Sequence, residues 1–172
     1  MLTDVRNRMF PESLITTAED VLKRCRHKNI MLATAESCTG GLVSALLTEI
    51  PGASSVFERG FVTYSNQAKE TLLGVAKEMI IQYGAVSEQV AATMAAGALA
   101  NSKANVSIAI TGIAGPEGGT VAKPVGLVYI AVAYANGESW VEEFHFKGDR
   151  SQIRLAAVEK GLELVQKVII VI

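Results

Sequence analysis

The segment Thr34-Ala35-Glu36-Ser37-Cys38-Thr39-Gly40-Gly41 gathers hydroxyl, thiol and carboxylate groups on one short stretch. The apolar run Ile30-Met31-Leu32-Ala33 enters it, and Leu42-Val43 with Leu46-Leu47 leaves it at helical spacing, so it reads as a strand-to-helix turn. Such a turn offers unpaired backbone N–H groups and a positive helix end to a ligand. Gly40 and Gly41 would let that ligand approach the main chain closely. Its hydroxyl and thiol groups are candidate nucleophiles, and its N–H groups candidate donors to an anionic group. Ser37 is the preferred nucleophile. Cys38 is intrinsically more nucleophilic, but its neighbouring position in the turn directs it elsewhere. The same residues also suit a plain helix start capped by Ser37 or Thr39.

A base is harder to find. His27 ends the first helical pattern, near the amino edge of the strands, and His145 falls on the last strand, where a satisfied structural role is the commoner explanation. That leaves a lysine. Lys69 follows the second strand by about one helical turn, and burial would lower its pKa toward that of a usable base. Spacing alone favours a solvated helix lysine there, and reads Tyr64 as a strand-end residue.

The elements that must position these groups follow from periodicity. Helices are expected from Pro11 to about His27, about 39 to 50 (stopped by Pro51-Gly52), 66 to 73, 77 to 83, the alanine-rich 90 to 100 led by Ser87-Glu88, and about 150 to 168 capped by Asp149. Strands are expected at about 30 to 35, 56 to 64, 106 to 110, 126 to 134 and 138 to 147, the last two joined by an Asn136-Gly137 hairpin. Strands separated by helices are parallel and hairpin strands antiparallel. The expected fold is therefore α/β: a three-layer α/β/α arrangement on a five-stranded mixed, mostly parallel sheet. Ligands in such sheets sit beyond the carboxyl ends of the parallel strands. If the hairpin's second strand runs parallel to the first three, the turns 36–41, 64–69, 111–119 and 148–150 share one edge and one site.

The 172 residues, 49% of them hydrophobic, suit one domain over 1–172, and a net charge of −1 offers no basic field for nucleic acid or an anionic membrane. Cys25 and Cys38 give neither a disulfide framework nor a CxxC pattern, so a reducing, cytoplasmic setting is expected. The first residues, Met1 to Arg6, lack a signal peptide's apolar segment, and no apolar run approaches membrane-spanning length. No HExxH motif, cysteine pair or carboxylate cluster suggests a metal, and no cofactor is expected. The apolar end Val168-Ile169-Ile170-Val171-Ile172 is expected to pack against the body or a partner, with an edge strand or a subunit contact in a homo-oligomer as the forms it could take.

Five ordered blocks carry a resemblance: Ala35-Glu36-Ser37-Cys38-Thr39-Gly40-Gly41, Phe57 to Asn66, Gly84-Ala85-Val86-Ser87, Thr111-Gly112-Ile113-Ala114-Gly115-Pro116 and Lys123-Pro124-Val125-Gly126. Together they resemble the CinA C-terminal domain family, whose stand-alone members are nicotinamide mononucleotide (NMN) deamidases. The resemblance implies hydrolysis of the NMN carboxamide to nicotinate mononucleotide and ammonia in pyridine nucleotide recycling. It also implies a three-layer fold with a five-stranded mixed sheet, in agreement with the periodicity. It carries catalytic roles onto Ser37 and Lys69, with Tyr64 as proton relay or hydrogen-bond partner. Thr39, Gly40, Gly41, Asn66, Thr111 and Gly112 become expected substrate contacts, Thr111 orienting the carboxamide or ribose. Arg150, opening the last helix, is placed to hold the phosphate, with Arg59 a second candidate. Glu36 either orients Lys69 or caps the turn. The 115–119 loop reads as a lid or a plain surface loop, and without a GK[ST] ending it does not suit ATP. Larger family members add a nucleotide pyrophosphatase domain, an activity not expected of this chain. The rival readings are a noncatalytic nucleotide sensor, a competence or DNA-damage partner protein, and an amidase for another small carboxamide.

Overall fold

Large and small side chains alternate along the central strands, and this alternation sorts the helices onto the two faces. In the computed structural model, which describes residues 8–172, the elements run α1 (Glu12–His27), β1 (Leu32–Glu36), α2 (Leu42–Glu49), a 3-10 turn (Ala53–Ser55), β2 (Phe57–Val62), α3 (Asn66–Leu73), α4 (Lys77–Tyr83), α5 (Glu88–Ala100), β3 (Val106–Gly112), β4 (Leu127–Tyr134), β5 (Ser139–His145) and α6 (Arg150–Val171). On one face Leu32, Val106, Ile108, Ile110, Val128, Ile130 and Val132 pack against α1, α2 and α6. On the other, Ala33, Ala35, Ala109, Ala131 and Ala133 meet α3, α4 and α5. Alanine facing alanine lets α5 lie close to the sheet, near enough for the buried Ser107 hydroxyl to donate to Ala95 O at 2.7 Å.

The sheet order is β2-β1-β3-β4-β5. β1 is parallel to β2 and to β3, while β4 is antiparallel to both β3 and β5. β5 therefore runs with β1, β2 and β3, and the four turns expected to share one edge do so. The α/β expectation, the three layers and the mixed five-stranded sheet are borne out. The Asn136-Gly137 hairpin forms, closed by Gly137 N–H to Tyr134 O at 3.0 Å, with Gly137 at φ 98°.

Two expectations are corrected. The apolar end is no edge strand: α6 runs through it, with Val168 and Ile169 buried and Ile170 and Val171 exposed. Lys28 Nζ donates to Ile169 O and Ile172 O at 2.6 and 2.7 Å, satisfying carbonyls that the last helical turn leaves open. Nor does helix two begin at residue 39; α2 starts at Leu42, and residues 37–41 form a tight turn. The signal-peptide reading of Met1 to Arg6 falls on residues outside those described.

At Gly97, α5 passes close to the end of α3. A Cβ there would lie 2.0 Å from Leu73 O and 2.8 Å from Leu73 C, both backbone atoms that cannot swing aside. Gly97→Ala is expected to destabilise the protein by about 3 kcal/mol through overpacking. A chemical-denaturation midpoint shifted accordingly, with an unchanged m-value, is the check.

Candidate active site

Ser37 leaves β1 with its backbone still in the sheet. Its N–H donates to Ile110 O at 2.9 Å, and Thr63 N–H donates to Glu36 O at 2.8 Å, so the ends of β1, β2 and β3 are tied at one level. Ser65 caps α3, its hydroxyl accepting from Ala68 N–H at 3.0 Å. The first turn of α3 then returns Lys69 toward β1. Lys69 Nζ donates to Ser37 Oγ at 3.1 Å and to Thr63 O at 3.0 Å. The lysine is 2% exposed and the serine 8%. Burial holds the Lys69 pKa below the ordinary lysine value, and the neighbouring Cys38 side chain opposes this only when it is ionised. Among the described residues no carboxylate pairs with Lys69.

Glu36 is wholly buried, and of its two expected roles the structure selects the cap. Its carboxylate accepts from the N–H groups of Gly41, Val43 and Ser44 at 3.1, 3.0 and 2.9 Å and from Ser44 Oγ at 2.9 Å. Four charge-assisted bonds compensate its desolvation. They also close the α2 N-terminus, so that helix end is not open to a ligand as expected, and neither Ser37 nor Thr39 is the cap. The turn's remaining donors are Cys38 N–H and Thr39 N–H; neither donates a hydrogen bond among the described residues. The Thr39 and Thr63 hydroxyls are buried without a partner among the described residues. Cys38 is also buried, which raises its thiol pKa to about 11.

A cavity of about 240 Å³ opens on Ser37, lined also by Cys38, Tyr64, Gly112, Ile113, Ala114, Glu117, Gly118 and Arg150, with Lys69 behind the serine. Arg150 Nη2 donates to Tyr64 Oη at 2.6 Å and Nη1 to Gly115 O at 2.8 Å, bridging the loops after β2 and β3. Tyr64 is 62% exposed, at the cavity mouth, and its bond is to Arg150 rather than to Lys69. A larger hollow of about 580 Å³ between α5 and the β4–β5 turn contains no buried ionisable side chain.

Of the expected site residues, Ser37, Lys69, Tyr64, Gly112 and Arg150 come together. Thr111 is buried and its hydroxyl donates to Ala85 O at 2.8 Å. The Gly40 and Gly41 N–H groups are engaged by Ser37 O and Glu36, and Asn66 is exposed at the start of α3, outside the cavity lining. Arg59 is bound to Glu58 and Asn101 O, away from the cavity. His145 pairs with Glu143 at 2.7 Å on the exposed face of β5. Glu117, in the loop read as a lid or a plain surface loop, lines the cavity; two features escaped the sequence reading, the Thr63 carbonyl and Arg154, which binds the carbonyls of Cys38 and Thr39. Only Arg154 had a usable signal, since its spacing of four puts it on one helix face with Arg150.

A buried serine–lysine pair at the carboxyl edge of a mostly parallel, three-layer α/β/α sheet is the class of site this fold presents. A family model described as the CinA C-terminal domain matches residues 14–169, and the chain belongs to that family. It is 45% identical over 155 residues to the nicotinamide-nucleotide amidohydrolase PncC of Escherichia coli K12, an alignment covering 90% of this chain and 94% of that protein. It is 50% identical over 157 residues to a Caldicellulosiruptor saccharolyticus protein whose name marks it as competence-damage inducible, covering 90% of this chain. It spans only 38% of the length of that relative. The crystal structure of the competence/damage inducible protein CihA from Agrobacterium tumefaciens superposes with a TM-score of 0.92 at 46% identity, over 94% of this chain and 98% of that one.

Proposed function

We propose that this chain, acting as one domain, is a nicotinamide mononucleotide amidohydrolase that converts NMN and water to nicotinate mononucleotide and ammonia in pyridine nucleotide recycling. The observation that carries the reading is the buried contact of Lys69 Nζ with Ser37 Oγ at 3.1 Å. Similarity to PncC, whose name states that activity, supports the substrate. Neutral Lys69 has two N–H bonds and one lone pair. One N–H is held by the Thr63 carbonyl, and the lone pair takes the Ser37 proton as Oγ attacks the carboxamide carbon. Negative charge on the carboxamide oxygen is met by the free N–H groups of Cys38 and Thr39. The Lys69 ammonium then protonates the departing nitrogen, which leaves as ammonia. Water, deprotonated by the same lysine, cleaves the Ser37 ester and releases the carboxylate product.

Arg150 and the exposed Tyr64 hold the nucleotide's phosphate end at the cavity mouth, Tyr64 contributing through Arg150 rather than as a proton relay. Gly112 forms part of the wall, while Thr39, Gly40 and Gly41 shape the turn. Arg150 lines the cavity and has no carboxylate partner among the described residues, which favours an anionic substrate. Thr111 acts through the Ala85 loop rather than on the carboxamide. Of the described helices none is long and apolar enough to cross a membrane, in keeping with a cytoplasmic enzyme. A homo-oligomer remains our proposal for the assembly.

The test is to incubate the purified protein with NMN in EDTA and follow ammonia and nicotinate mononucleotide together. Equal amounts of both are expected, because neither the nucleophile nor the base needs a metal. Loss of turnover in EDTA would overturn the metal-free mechanism. NMN binding without ammonia would identify a nucleotide sensor, and silence without binding would return the substrate to another carboxamide or the role to a competence-related partner.

A further inference from the structure

We propose that Arg154 is a positioning residue for the Ser37 nucleophile: its guanidinium fixes the Cys38 and Thr39 carbonyls on the α6 side and so keeps the turn's N–H groups turned toward the oxyanion. The inference rests on the serine-hydrolase reading above and adds to it the group that sets the oxyanion donors.

The geometry is a side-on fork. Arg154 Nε donates to Cys38 O and Nη2 to Thr39 O, both at 3.0 Å. Two parallel donors on a planar group fix two consecutive peptide planes at once, which one ammonium cannot do with the same definition. In a trans peptide the C=O and the following N–H point in opposite directions. Drawing Cys38 O toward α6 therefore turns Thr39 N–H away from it. Drawing Thr39 O the same way turns Gly40 N–H away, where it donates to Ser37 O at 3.0 Å. That bond fixes the Ser37–Cys38 plane in its turn and aims Cys38 N–H opposite to the Ser37 carbonyl. Cys38 lines the cavity beside Ser37. One side chain thus orders three peptide planes and leaves two N–H groups without an internal partner.

Two further facts fit. Gly40 has φ 59°, and a Cβ there would sit 3.3 Å from Arg154 Nη2, so the turn both requires a left-handed residue and keeps room for the guanidinium. Arg154 also has no carboxylate partner among the described residues, so its donors are directed at these carbonyls rather than at an ion pair. Arg150, one turn earlier on α6, holds the loops after β2 and β3, so two arginines on one helix face anchor all three loops that build the site.

The test compares wild type, Arg154→Ala and Arg154→Lys in NMN turnover and in the rate at which a fluorophosphonate labels Ser37. Arg154→Ala is expected to lower kcat about hundredfold, the effect of losing an oxyanion donor, with KM within about threefold. Labelling should slow in parallel, and millimolar methylguanidinium should restore part of both rates. Arg154→Lys should fall between, and it decides the matter if the alanine variant does not fold. Wild-type kcat and labelling rates in a folded variant would overturn the proposal, as would a loss confined to KM. The labelling arm does not depend on NMN: a wild type silent toward NMN but labelled at Ser37, with labelling slowed in the variants, would sink the substrate and keep this inference.

Discussion

Ser37→Ala is expected to reduce NMN turnover by at least about 10⁴-fold while leaving NMN affinity within about tenfold. The reasoning is that Ser37 Oγ supplies the bond-forming atom, whereas substrate recognition is spread over Arg150, Tyr64 and the cavity wall. No neighbouring group can take over. Cys38 is next in sequence and lines the same cavity, but burial raises its thiol to about 11, so fewer than about one thiol in a thousand is ionised at neutral pH. Calorimetric titration of the alanine variant with NMN, beside an ammonia assay, separates binding from chemistry. A variant that still turns over at more than a few per cent of the wild-type rate would remove Ser37 as nucleophile. Acid-quenched wild type should carry the nicotinate mononucleotide acyl group as an ester on Ser37, readable by peptide mass.

Much of this arrangement was legible in the sequence, for identifiable reasons. Val106, Ile108 and Ile110 alternate with Ser107 and Ala109, and Asn136-Gly137 has few alternatives to a hairpin, so strand identity and order of direction followed from local pattern. The role of Glu36 was only half legible: the sequence left a cap and a contact to Lys69 side by side, because a carboxylate capping a helix five to eight residues downstream obeys no local capping rule and depends on the tertiary turn. The apolar end misled for a similar reason: Val168-Ile169-Ile170-Val171 has strand-forming residue types, but α6 is already packed on the sheet and simply continues. Lys69 is the instructive case. Sequence alone allowed a solvated lysine, and only the Ser65 cap, which sets the phase of α3, turns its side chain inward to Ser37.

Lys69→Met should give the second large effect, a loss of at least about 10³-fold in kcat, together with a gain in stability. Lys69→Arg should be as inactive, since a guanidinium stays protonated and cannot accept the Ser37 proton. The pH dependence has a definite sign. Only neutral Lys69 is a base, and burial shifts its pKa downward, so kcat/KM should rise with pH and level off below the ordinary lysine range. The same shift penalises folding: the unfolded chain holds a proton that the folded site releases more readily. That penalty is fully present at pH below the lowered folded value and disappears as pH rises through the ordinary lysine value. Removing the amine should therefore raise the melting temperature most in acid and least in strong alkali, with the folded baseline unchanged. A melting temperature that falls in Lys69→Met at every pH would mean that the bonds to Ser37 and Thr63 stabilise the fold more than burial of the amine destabilises it, and the amine would then be a structural tie rather than a strained base. In the double variant Ser37→Ala, Lys69→Met, turnover should fall no further than in Ser37→Ala alone, because a base without its nucleophile has no proton to take.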